Sequence, residues 1–116
     1  MMQTMRQLAV AALAATMCLA GASAAKDYDY TIYVPRGTTL TSVWMHTVSV
    51  FCHDVTWTGL RNPGSRLHIS TSGICLVDQV DVSGSGGRRK WSSPVGRASS
   101  DFEINNGRLC NRQYGC

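Results

Sequence analysis

Acidic residues are scarce in this chain: seven carboxylate side chains in 116 residues, with Glu103 the single glutamate. No sequence pair therefore reads as the acid and base of a glycoside hydrolase, which must sit within about 5 to 10 Å of each other. Long apolar runs are missing too. The run Leu8 to Ala20 (LAVAALAATMCLA) falls short of the about 20 residues a helix needs to cross a bilayer, and nothing after Lys26 approaches that length. There is no Gly-x-Ser-x-Gly elbow, and His53 beside Asp54 implies no Ser–His–Asp triad, because geometry rather than adjacency defines one. The sequence contains no internal repeat, and after residue 26 no stretch carries a capped helical period. These absences argue against helical architecture and against an enzyme.

What is present begins with a leader. Arg6, the apolar run and Gly21-Ala22-Ser23-Ala24-Ala25 form the three-part layout of a secretory signal peptide, with Ala22-Ser23-Ala24 as the A-x-A cleavage site. Cys18 follows Ala15-Thr16-Met17, which lacks the leucine and small residue that precede a lipidated cysteine. Residues 1–25 are therefore expected to be removed, and residues 26–116 to form a single secreted or periplasmic domain. Without Arg6, ten Lys and Arg face seven acids, a net charge of +3 that is too mild to imply nucleic acid.

Export decides how the remaining cysteines are read. Cys52, Cys75, Cys110 and Cys116 are an even set in a small exported domain, which reads as two disulfides with three connectivities. Pairing sequence neighbours around turn-rich segments favours Cys52–Cys75 and Cys110–Cys116. Thiols held this way are not free to bind metal, and no cofactor is expected.

Several segments are rich in β-branched and aromatic residues and bounded by Gly, Pro, Asn and Ser, which reads as all-β. Tyr28 to Val34 is the first strand, with Tyr28, Tyr30, Ile32 and Val34 on one face. Thr39 to Thr58 is too long for one strand and should break near His46 or Asp54. Arg61-Asn62-Pro63-Gly64 is a turn, with Pro63 presetting φ and Gly64 accepting a positive one. Strands follow at Arg66 to Thr71 and at Ile74 to Val82, separated by a turn or bulge at Ser72-Gly73. Ser83 to Gly87 reads as a flexible loop, and Arg88 to Ser100, with little apolar periodicity, as a mobile region. Asp101 to Arg112 reads as a hairpin around Asn106-Gly107, whose type I′ turn sets Ile104 opposite Leu109 and Glu103 opposite Cys110. The expected fold is a small antiparallel β-sandwich or partly open barrel of five or six strands, stapled by two disulfides.

Among residues that could carry chemistry, His46, His53 and His68 come first, since imidazoles bind metals and relay protons. His46 and His53 have opposite parity on one extended segment, which argues against a shared metal site. The strongest non-structural signal is Arg88-Arg89-Lys90-Trp91, reinforced by Arg97, Arg108 and Arg112. Adjacent cations beside an aromatic can grip anionic groups while the indole stacks on a ring. Trp44, Trp57 and the Tyr28, Tyr30, Tyr33 group read as core or sheet-face residues, and Tyr114 as the aromatic furthest from the core.

Two short resemblances arise. Val50-Phe51-Cys52-His53-Asp54 with Ser83-Gly84-Ser85-Gly86 resembles the aromatic-x-Cys start and Ser-Gly loop of periplasmic lysozyme inhibitors, although Arg88-Arg89 replaces the tyrosine expected after that loop. Cys110-x5-Cys116 resembles the C-terminal cystine loop of pertussis-type toxin binding subunits, although Gly-Ser-Arg stands where that family has a helix. Neither transfers a site. The expected function is non-enzymatic binding of a protein partner in the envelope or outside the cell, as an inhibitor or immunity-type protein would bind. Arg88, Arg89, Lys90, Trp91, Arg97 and Tyr114 are expected at the contact surface. The alternative is a module that binds glycans or an anionic polymer such as lipopolysaccharide. A small hydrolase is third.

Overall fold

The computed structural model describes residues 27–116. The expected leader and its cleavage site lie outside the described residues. Eight strands run in chain order: β1 (Tyr28–Tyr33), β2 (Leu40–Thr47), β3 (Val55–Arg61), β4 (Arg66–Thr71), β5 (Val77–Gly84), β6 (Gly87–Arg97), β7 (Ser100–Asn105) and β8 (Arg108–Asn111). They form two four-stranded sheets, the first in the order β4-β1-β7-β8 and the second in the order β3-β2-β5-β6. The all-β class and both disulfides, Cys52–Cys75 and Cys110–Cys116, are as expected. The strand count exceeds the expected five or six, and the β1–β7 pair is parallel where an antiparallel sheet was expected.

The extra strands have physical causes. The long segment breaks at a loop over residues 48–54, between β2 and β3. There the Thr47 hydroxyl donates to the His53 carbonyl at 3.1 Å and the Cys52 N–H to the Ser49 carbonyl at 3.1 Å. The expected mobile region is instead the eleven-residue β6, hydrogen-bonded to β5 along one side. The expected flexible glycine loop is a tight hairpin. Gly84 pairs with Gly87, and Gly87 takes a φ of 95°, the left-handed residue that closes a short turn. The Ser85 side chain accepts the Thr39 N–H at 2.9 Å and so ties the turn to the start of β2.

Both sheets turn one face inward. Tyr30, Ile32, Leu67, Ile69, Phe102 and Leu109 come from the first sheet, and Leu40, Val43, Met45, Val77, Val80, Val82 and Trp91 from the second. Phe102 sits between two aromatics, edge-on to Trp91 at 5.0 Å and tilted to Tyr30 at 6.4 Å. The buried Tyr30 hydroxyl donates to the Arg97 carbonyl at 2.6 Å, and burial pushes its pKa up to about 12. Among the described residues no helix is long and apolar enough to cross a membrane.

Candidate functional site

Because β6 is a strand, its alternation divides the basic cluster between two faces. Arg89 is in register with the buried Val82 and Trp91 with the buried Val80, so both turn inward. Arg88 opposes Ser83 and Lys90 opposes Asp81, on the outer face of the second sheet. Trp91 therefore corrects the sequence expectation. Only 4% of it is exposed, its Nε1–H donates to the Gly115 carbonyl at 3.0 Å, and its ring belongs to the core rather than to a binding surface.

Cross-strand register then assembles a row on the outer face: Thr56 on β3 opposite Trp44 on β2, Trp44 opposite Asp81 on β5, and Asp81 opposite Lys90 on β6. Ser42, Ser83 and Arg88 form the next row. These rows line an open recess of about 500 Å³. Asp81 is buried in its floor, where its carboxylate accepts from the Arg88 guanidinium at 3.3 Å and from Gln79 Nε2 at 3.5 Å. Lys90 makes no ion pair among the described residues.

Beside the recess, the tilted ring of His46 lies 6.0 Å from that of Trp44. The β2–β5 register shifts between His46 and Thr47, and the β5–β6 register between Val77 and Gln79. At this irregularity Asp78 meets His46 Nδ1 at 2.6 Å. That hydrogen bond raises the His46 pKa above its ordinary 6.5. His53 lies exposed in the loop, and His68 sits on the first sheet between Thr31 and Asp29. No group of three His, Cys, Asp or Glu among the described residues is arranged to hold a metal ion.

The outer face of the first sheet is internally satisfied by contrast. Arg112 stacks on Tyr33 at 4.0 Å and pairs with Glu103 at 3.2 Å, while Asp29 accepts from Ser70 at 2.7 Å. The remaining expected site residues form a separate pair: the Arg97 guanidinium lies 4.2 Å over the Tyr114 ring and donates to Ser93 Oγ at 3.2 Å. The structure thus brings Arg88 and Lys90 to the recess and leaves Arg97 and Tyr114 outside it. Sequence reasoning did not single out Asp81, Gln79 or Asp78 as site residues. The signal was the alternation of Val80 and Val82 with Asp81, and of Val43 and Met45 with Trp44, but which strands lie side by side could not be read from it.

A second feature missed in the sequence is an apolar end. Val50 is 91%, Phe51 84% and Ile74 61% exposed, drawn together by the Cys52–Cys75 bridge. Comparisons with protein-family models, with curated proteins and with solved structures find no match.

Proposed function

We propose that this chain is a non-enzymatic glycan-binding module whose site is the outer face of the second sheet. One observation carries the reading: Trp44 stands in an open recess in register with Asp81 and Lys90. A sugar ring presents an apolar face and a rim of hydroxyls. An indole supplies the matching platform, and a carboxylate, an amide and hydroxyls supply partners for the rim. The openness of the recess suits a polymer that continues beyond it. A row of this kind, on a face that the strands hold rigid, also meets the need for a preorganised site.

The test is retention of the oxidised protein on immobilised polysaccharides, neutral and acidic, with Trp44→Ala alongside. The variant should bind about tenfold more weakly, the factor that corresponds to about 1.4 kcal/mol, with an unchanged circular dichroism spectrum. Equal retention of variant and wild type, or retention of neither on any polysaccharide, overturns the reading.

A protein partner is the second reading, and the apolar end supports it. Clustered Phe, Val and Ile side chains at such exposure suit a protein interface. Trp44→Ala separates the two, since that end lies outside the Trp44 recess and a complex made there would survive the substitution.

A further inference from the structure

The second sheet carries another recess along the edge where β6 faces the β7–β8 hairpin. Its volume is about 370 Å³, and Arg89, Lys90, Arg108 and Cys116 are among the residues that line it. No acidic side chain lines it. Arg89, Lys90 and Arg108 make no ion pair among the described residues, and Arg88 at the rim is held by Asp81. Even a free carboxylate on Cys116 would leave a surplus of positive charge.

Arg89 is the informative member. Register turns it inward beside Val82, and its Nε is buried with no hydrogen-bond partner. Its guanidinium charge is thus uncompensated by any acidic side chain among the described residues, and an anion seated in the recess would balance it. Guanidinium groups present parallel N–H donors that match the paired oxygens of sulfate and carboxylate. Arg88 and Lys90 line this recess and the Trp44 recess alike, so the two adjoin at β6.

We propose that the edge recess binds the sulfate or carboxylate groups of an acidic polysaccharide that crosses β6 at Lys90. The placement of its sugar rings rests on the Trp44 reading, whereas the anion site rests on Arg89 and Arg108. Titration of the oxidised protein with dextran sulfate, polygalacturonate and neutral dextran of matched length, at several salt concentrations, tests both. At least one acidic polymer should bind tighter than dextran, and which one does so distinguishes sulfate from carboxylate.

Arg108→Gln, at an exposed position next to the turn, should weaken acidic binding by about tenfold and flatten its salt dependence, leaving dextran unchanged. Arg89→Gln should do the same, and Arg108→Gln decides the matter if the inward position fails to fold. Acidic polymers that bind no tighter than dextran overturn the inference and leave the Trp44 face standing or falling on Trp44→Ala. Tight acidic binding that ignores both arginine substitutions also overturns it. Loss with the arginine variants but not with Trp44→Ala keeps the anion site and removes the sugar platform.

Discussion

At the scale of single residues, strand parity decides what a side chain does. Four consecutive residues that look like one basic, aromatic patch are divided two and two, because neighbours on a strand point to opposite faces. The carboxylates make a similar point about context. Asp29 is held below its ordinary value by a hydrogen bond from Ser70, so its contribution to stability is present above pH 3.8 and lost on further acidification. His46 works in the other direction. Its hydrogen bond to Asp78 raises its folded-state pKa, so the pair's contribution is complete below 6.5 and is lost as pH rises through the raised value. Asp78→Asn should therefore lower stability more at about pH 5.5 than at about pH 8.5. Denaturant titrations at the two pH values check this, and a deficit that grows with pH would refute the assignment. The test also bears on the site, because His46 stands against Trp44 at the margin of the recess.

At the scale of elements, the β7–β8 hairpin was the most legible part of the chain. Asn106 and Gly107 take φ values of 52° and 79°, the type I′ geometry, and the pairs Ile104 with Leu109 and Glu103 with Cys110 follow from it. Gly64 takes the positive φ that its place after Pro63 implied. The other glycines misled, because density of glycine signals flexibility only when nothing approaches the backbone. A Cβ on Gly84 would lie 1.7 Å from the Thr39 carbonyl oxygen, so Gly84 is there for close approach of two backbone segments. Gly84→Ala should cost about 3 kcal/mol by forcing those segments apart. Gly107→Ala, where a Cβ meets nothing within 4 Å, should cost only the strain of a left-handed residue, about 1 to 2 kcal/mol. Urea midpoints of the two variants check the order, and a larger loss at Gly107 would show that the β5–β6 turn yields easily. β6 itself was illegible for a related reason. It is an edge strand, and Arg88, Lys90 and Pro94 are the residue types that keep such an edge from pairing with another chain. Their polarity hid the inward Trp91, whose partner Val80 could be named only once β5 and β6 were known to be neighbours.

At the scale of the whole molecule, the sequence conveyed the class and the staples but not the order of strands. Alternation in β1, β4 and β5 marks which residues face inward, yet nothing local states that β1 lies between β4 and β7 or that the chain changes sheet after β1, β3, β4 and β6. The recess has the same origin, since Trp44, Asp81 and Lys90 meet only because β2, β5 and β6 are adjacent in that order. The bridges act at this scale as well. Cys52 lies in the connection from β2 to β3, within the second sheet, and Cys75 in the connection from β4 to β5, where the chain crosses from the first sheet to the second. The bond therefore closes a 23-residue span that contains one complete passage to the first sheet and back. Loop-closure entropy for such a span gives roughly 3 kcal/mol of stabilisation, exerted on the unfolded chain. Replacing both cysteines by alanine should lower the unfolding free energy by about that amount, with little change in the folded spectrum because the core cluster needs neither sulfur. Guanidinium unfolding of the wild type and the double variant measures it. A loss below about 1 kcal/mol would mean that the unfolded chain already keeps β2 to β5 together. A loss of the expected size, with any retention on polysaccharide unchanged, would separate the staple from the site proposed at Trp44, since neither cysteine lines that recess.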